Sequence, residues 1–336
     1  MRYGWGRLIR MGDVALTMAC GPYDRFEALR YGAVSPQDIA LEYRAVSPPH
    51  DIFARMVDGE FDISEMSIIL FLTRRIKGTF PFVAIPVFPS RVFRHGNIFL
   101  NRRAGIAAPK DLEGRRVGVQ EYRQSAALWI RGMLRDDHGV DTDLIHWVEG
   151  GVNELRGPQP KVEERPDREL TFSHIGAETM LSTELAEGRI DALIGAQQPF
   201  LLNECDDIVR MFPDYRAAER DYFERTGIFP IMHTMVIREA LHDENPWIAA
   251  NLYRACEESK ARAIGEMRFS GAMRYMTPWL QDDVEEMDRV FGGDPWPYGL
   301  EANRDQLETL TRYLVEEGFI AEPVSIDDLF VAVEGV

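Results

Sequence analysis

The chain is 336 residues long, with 45% hydrophobic and 28% charged residues, a globular composition large enough for two cores. Its 55 acidic against 38 basic residues give a formal charge of -17, which excludes a broad basic face for nucleic acid. The three cysteines, Cys20, Cys205 and Cys256, are far apart and in no ligand spacing, which argues against a disulfide framework or a structural zinc.

In chain order, the opening "MRYGWGRLIRMGDVALTMACG" has no uninterrupted apolar run of secretory length, because Arg7, Arg10 and Asp13 break it. No stretch approaches a membrane span, so a cytoplasmic protein without membrane contact is expected. "DVALTMA" (13–19) reads as a strand and "YDRFEALRYG" (23–32) as a helix stopped by Gly32. "DIALEYRAV" (38–46) is a strand, and "PPHDIFARMVDGEF" (48–61) a helix with Pro at its opening. The strand "DISEMS" (62–67), the helix "IILFLTRRIKG" (68–78) and the strand "FVAIPVF" (82–88) follow. This alternation predicts a parallel sheet covered by helices.

A second series starts after "NRRAGIAAPKDLEG", with a strand at 115–120, a helix at 125–139 ending on glycine, and a strand at 144–151. Residues 153–174, rich in Pro, Glu and Arg, read as a loop insertion, and 177–196 as helix, glycine, strand. Past the apolar run "FPIMHTMVIRE" (229–239) come long helices without a clear further sheet, so the tail is expected to return to the first lobe. The expected architecture is therefore α/β and two-lobed. Residues 1–101 plus 230–336 form lobe 1 and residues 102–229 form lobe 2, with a ligand cleft between lobes at the carboxyl ends of the strands.

Strand-to-helix junctions are the first places to look for chemistry. One strand ends in Glu65-Met66-Ser67, with Ser67 at the N-cap of the next helix, and another ends near Tyr122, with Ser125 opening its helix. Each junction offers free N–H groups, the positive end of a helix dipole and a hydroxyl, which suits an anion; plain N-capping is the simpler alternative. In "PSRVFRHGN" (89–97), Arg91, Arg94 and His95 gather positive charge in an acidic chain. Arg91 and His95 are four apart and share a face in either an extended or a helical segment. An Arg fork holds a carboxylate and a His titrates near neutrality; the alternative is a solvated basic loop. His233 lies in an apolar run, where a hydrogen-bonded core residue is commoner than a catalyst. Trp296 and Tyr298, in "DPWPYGLEAN" (294–303), wall a cleft, meet a second copy or simply pack. There is no GxxxxGK[ST] and no GxSxG, "GWGRLI" lacks a third glycine, and the four lysines sit in no Schiff-base context.

Five segments in the same order, "FDISEMS" (61–67), "FPSRVFRHGNIFLN" (88–101), "DLEGRRVGVQEYRQSAALWIRGML" (111–134), "GIFPIMHTMVIR" (227–238) and "DPWPYGLEANR" (294–304), together resemble the 4,5-dihydroxyphthalate decarboxylases. The resemblance implies a cytoplasmic enzyme on the type 2 periplasmic-binding-protein fold. It also implies non-oxidative loss of CO2 from 4,5-dihydroxyphthalate, or a close hydroxylated aromatic dicarboxylate, to give protocatechuate. Ring protonation at the carboxylated carbon needs no metal and no organic cofactor. On this reading Arg91 and Arg94 bind carboxylate and His95 moves the proton, with His233 as the alternative acid. Glu65 and Ser67 contact the catechol oxygens, and Tyr122 and Ser125 close from the second lobe. Gly96 stands where the family pattern has a small hydroxyl residue, and Ser125 where it has Thr. The fold also carries solute-binding proteins and other enzymes, so two further readings stay open: an aromatic-acid-binding protein without catalysis, and another lyase or hydrolase. The acidic helical tail and "DPWPYG" make a homodimer an expectation.

Overall fold

The computed structural model describes residues 13–157 and 165–333; the glycine-bearing stretch at residues 4–9 lies outside them. The chain divides into two compact units. The first takes the residues up to Arg91, then Ile231–Arg304 and the residues from Val324 on; the second takes Val92–Pro230 and Asp305–Pro323.

The first unit begins with β1 (Val14–Cys20), α1 (Glu27–Arg30), β2 (Ile39–Ala45), α2 (Asp51–Val57), β3 (Ile63–Ser67), α3 (Ile68–Ile76) and β4 (Phe82–Arg91). The second unit holds β5 (Ile98–Asn101), β6 (Arg116–Val119), α4 (Ser125–His138), β7 (His146–Glu149), β8 (Thr171–His174), α5 (Leu181–Ala186), β9 (Ala192–Ile194), β10 (Ile208–Arg210) and α6 (Tyr215–Thr226). The chain returns to the first unit with β11 (Ile231–Arg238), α7 (Glu239–Glu244), α8 (Trp247–Met267) and α9 (Leu280–Phe291). Helix α10 (Arg304–Glu316) belongs to the second unit from Asp305 on.

In the first unit the strand order is β2-β1-β3-β11-β4. The runs at 14–20, 39–45 and 63–67 pair in parallel, as the alternation of strands with helices predicts. The sheet is nevertheless mixed. The returning run 231–238 is itself a strand, inserted antiparallel between β3 and β4. One sheet face (Leu16, Met18, Ile63, Ile85, Val87, Met235, Ile237) packs against Leu252 and Cys256 of α8 and Phe26 and Leu29 of the first helical turn. Trp296 and Tyr298 also pack against this core, so their segment is used inside its own unit.

The second sheet has the order β10-β5-β9-β6-β7-β8, antiparallel on the β5 side and parallel from β9 to β8. Three differences from the sequence reading stand out. The end of the presumed loop insertion forms β8, a four-residue edge strand whose "TFSH" carries no apolar run. The division between units falls at Arg91/Val92, not after Asn101, because β5 pairs with β9 and β10 of the second sheet. Residues 305–323 likewise pack in the second unit, where the whole tail was expected in the first. Gly132 of α4 makes the α4–α10 packing close: a Cβ there would come within 2.1 Å of the Tyr313 ring. No described helix is long and apolar enough to cross a membrane.

Candidate functional site

The apolar face of the first sheet gives way to polar groups at the carboxyl ends of β1 and β3, where an open α/β sheet places ligands. β3 ends Glu65-Met66-Ser67, and β11 runs beside it with His233 opposite Ser67 and Met235 opposite Glu65. Glu65 and His233 are thus diagonal neighbours on one face, within reach of long side chains. β11 is irregular against β4 on both sides of His233, and such bulges re-aim side chains beside functional sites.

The result is a carboxylate–imidazole pair. His233 Nδ1 lies 2.5 Å from Glu65 Oε1. Tyr23 donates its hydroxyl to the same oxygen at 2.7 Å, and the Gly21 N–H donates to Oε2 at 2.8 Å. The Cys20 thiol reaches Oε2 at 3.5 Å. Tyr23 lies over Gly21 so closely that a Cβ there would be 2.6 Å from its ring. The Phe53 ring meets His233 edge-on, with centroids 5.2 Å apart. Burial by itself pushes the Glu65 carboxyl up, but His233, Tyr23 and Gly21 outweigh it and hold the group below the ordinary carboxylate range. Burial and the Glu65 charge push Cys20 and Tyr23 up, so both stay protonated and donate.

Glu65 has no exposed side-chain surface, whereas the His233 ring keeps 19%. The carboxylate therefore fixes the ring through Nδ1, and Nε2 is the ring nitrogen left to meet a ligand. Such a pair has the groups that general acid–base chemistry uses. Among the described residues, no group of three or more His, Cys, Asp or Glu could hold a metal ion.

Of the residues singled out in the sequence, Glu65, Ser67 and His233 come together. Ser67 caps α3, its Oγ accepting from Leu70 N at 3.4 Å. The cationic cluster at 91–95 is divided between the two units. Arg91 ends β4 and is buried in the first unit, its guanidinium donating to Pro297 O at 2.9 Å and to Asn303 Oδ1; burial lowers its pKa to about 9. Arg94 is buried in the second unit, where burial lowers its pKa to about 10 against the opposing pull of Glu219. His95 opens a 3-10 turn there, with the rings of Tyr222 and Phe212 at 5.2 and 5.5 Å. The i,i+4 spacing implied a shared face, but that rule holds only within one continuous element, and the chain crosses between units at residue 92.

Tyr122 is a core residue of the second unit, with the Arg131 guanidinium 3.6 Å above its ring and Trp147 and Phe172 at its edges. Ser125 is the buried first residue of α4. Gly96 is backed by Tyr215, whose ring lies 2.9 Å from where a Cβ would stand, so a hydroxyl residue there requires that ring to move. Sequence reasoning missed Cys20, Gly21, Tyr23 and Phe53 as members of this cluster. The signal for most of them was present: "CGPYDR" follows the end of β1 and precedes a helical turn, the junction pattern applied only to the ends of β3 and β6.

Burial holds the His95 pKa at about 4, with the Asp137 charge opposing, so the ring is neutral at pH 7. Its folded pKa lies below the unfolded value, so the stability tied to its neutral form is complete above about pH 6.5 and is lost as pH falls toward 4. On the order of 3 kcal/mol belongs to this group across that window. His95→Gln should flatten the loss of stability between pH 6.5 and 4, read by denaturant unfolding at each pH; an unchanged pH slope refutes this.

No protein-family model matches the chain. It is similar to the 4,5-dihydroxyphthalate decarboxylase of Comamonas testosteroni, 31% identical over 327 residues that cover 94% of this chain and 99% of that one. The enzyme of the same name from Pseudomonas putida is 32% identical over 216 residues, 64% of this chain and 83% of that one. Among solved structures, a putative periplasmic sulfonate-binding protein from Methylobacillus flagellatus superposes with a TM-score of 0.55 at 12% identity, covering 96% of each chain. The periplasmic aliphatic sulphonate binding protein of Escherichia coli gives 0.53 at 12% identity, over 94% of this chain and 97% of that one. At such identities the likeness shows the fold alone, which is that of periplasmic binding proteins.

Proposed function

The chain belongs to the 4,5-dihydroxyphthalate decarboxylase family, and from that premise we propose that it converts 4,5-dihydroxyphthalate, or a close hydroxylated aromatic dicarboxylate, to protocatechuate and CO2. The Glu65–His233 pair is the observation that carries the chemistry: a buried carboxylate orients an imidazole that keeps exposed surface.

Each carboxylate of this substrate is para to a phenolic oxygen. As that oxygen pushes electrons into the ring, the carboxylated carbon becomes basic and takes a proton from His233 Nε2. The ring loses aromaticity for one step. Breaking the C–CO2 bond then returns the electron pair to the ring and restores it. One proton enters and one CO2 leaves, so no electrons are gained or lost. Glu65, ionised because its partners hold its pKa down, stabilises the imidazolium before transfer and fixes its aim. The N-terminus of α3, capped by Ser67, adjoins this strand end and favours negative charge on a substrate oxygen.

Of the two candidate acids, this reading takes His233 over His95. A neutral ring with a pKa of about 4, enclosed by Phe212 and Tyr222, has no proton to give at pH 7. His95→Gln should keep kcat within about threefold of wild type, less than about 0.7 kcal/mol of barrier.

The test of the reaction is incubation of the protein with 4,5-dihydroxyphthalate, following CO2 release and the ultraviolet spectrum. Stoichiometric CO2 with the protocatechuate spectrum is expected. A binding-induced spectral shift without CO2 would instead favour an aromatic-acid-binding protein.

A further inference from the structure

Arg25 sits one ring away from the Glu65–His233 pair, in a setting that packing alone does not require. It follows the end of β1 by five residues, and its side chain keeps 13% of its surface exposed. Its guanidinium is stacked between two aromatic faces, 4.1 Å from the Tyr23 centroid and 4.7 Å from that of Trp296. Nε donates to Pro89 O at 2.7 Å, and a terminal nitrogen donates to the same oxygen. The other terminal nitrogen meets Asp24 Oδ1 at 3.2 Å. Among the described residues these contacts use three of the five N–H donors of a guanidinium and leave two on its terminal nitrogens.

The orientation is fixed by the two rings and the Pro89 carbonyl, so little freedom is lost when a ligand binds. Tyr23 connects this cation to the catalytic pair: one face of its ring carries Arg25 and its hydroxyl holds Glu65. Arg25 also acts electrostatically on Cys20 and Tyr23, both of which touch Glu65. A rigid guanidinium with a free edge, beside a proton donor, matches a planar carboxylate.

We propose that Arg25 anchors the carboxylate that the substrate keeps. This rests on the decarboxylase reading and adds which group the first unit recognises. The departing carboxylate becomes neutral CO2, so a cation bound to it would stabilise the ground state more than the transition state and slow the reaction. The retained carboxylate is charged throughout. Holding it strengthens substrate and transition state alike, which changes KM and leaves kcat almost untouched.

The experiment compares wild type with Arg25→Gln and Arg25→Lys. Steady-state CO2 release is measured, together with binding of protocatechuate (the retained carboxylate and both hydroxyls) and of catechol (hydroxyls alone) by calorimetry. Arg25→Gln should raise KM by about 30- to 100-fold, keep kcat within threefold, weaken protocatechuate by a similar factor and change catechol by less than threefold. Arg25→Lys should recover part of the protocatechuate affinity, because it keeps the charge and loses the fork. If Arg25 only braces Pro89, both ligands weaken together and kcat falls with KM, which overturns the proposal. Unchanged protocatechuate binding in Arg25→Gln also overturns it. If that variant does not fold, Arg25→Lys decides by the same ratio of the two ligands. A wild type that releases no CO2 refutes the decarboxylase reading, whereas the protocatechuate-to-catechol ratio still judges Arg25.

Discussion

Glu65→Gln should lower kcat by two to three orders of magnitude while KM stays within about threefold of wild type. The amide has nearly the shape of the carboxylate but cannot stabilise an imidazolium, and it can present an N–H to His233 Nδ1 in place of an acceptor. That reverses the tautomer, leaves Nδ1 without a proton and disfavours the doubly protonated ring from which Nε2 would give one. Tyr23, Gly21 and Cys20, which all donate toward this group, would then compete for one carbonyl oxygen. His233→Gln should cost a comparable 10²- to 10⁴-fold, and the double variant should be hardly worse than either single one, because the two side chains act as one device. The pH dependence adds a separate signature. The folded pKa of Glu65 lies below its unfolded value, so its stabilising contribution is present above about pH 4.3 and is lost as pH falls through the folded pKa. Wild type should therefore exceed Glu65→Gln in stability at neutral pH, with the gap narrowing in acid. Denaturant unfolding across pH and steady-state CO2 release read the two effects independently. A kcat within tenfold of wild type for Glu65→Gln would remove the pair from the chemistry.

Much of this site was present in the sequence as residues but not as a pair. Glu65 stood out because it ends an apolar strand before a capped helix, and His233 because it interrupts an apolar run. Nothing in local periodicity brings them together: 168 residues separate them, and the antiparallel insertion of β11 is a property of the whole sheet. The parallel strands 14–20, 39–45 and 63–67 were legible because each is a short β-prone run set between helical stretches, even though 39–45 is a partly exposed edge strand. β8 and β10 were not, since edge strands of four and three residues need no such run. The cationic cluster shows a related limit. Charge clustering along the chain implies a shared face only if the backbone continues in one element, and here β4 stops at Arg91. The helical period of residues 304–316 was equally readable, but periodicity names a buried face without naming the body that buries it.

That body is identified by one ion pair, and breaking it should be the largest single loss of stability in the molecule. Arg131 of α4 and Glu317, just past α10, have no exposed side-chain surface. Their contact is bidentate, with Nε at 2.8 Å and a terminal nitrogen at 2.6 Å from Glu317 Oε2. Arg131 also donates to Tyr122 O at 2.8 Å and lies over the Tyr122 ring, while Arg135 reaches Glu317 Oε1 at 2.9 Å. Burial works against the Arg131 charge, but Glu317 and the other acceptors outweigh it and raise its pKa. Arg131→Met leaves a buried carboxylate with Arg135 as its ion-pair partner among the described residues, and should cost about 3–5 kcal/mol. Glu317→Leu strands the guanidinium instead and should cost a similar amount. Replacing both by apolar residues removes the charge that either single change leaves stranded, so Arg131→Met with Glu317→Leu should recover most of the loss. Because the chain has two units, the effect should be read as a shift in the unfolding of the second unit, followed by hydrogen exchange in α4 and α10, not as one Tm. Equal losses in the single and double variants would mean that packing, and not charge pairing, fixes the tail. Recovery in the double variant would mean that the sequence placed its tail in the second unit by matching two charges 186 residues apart.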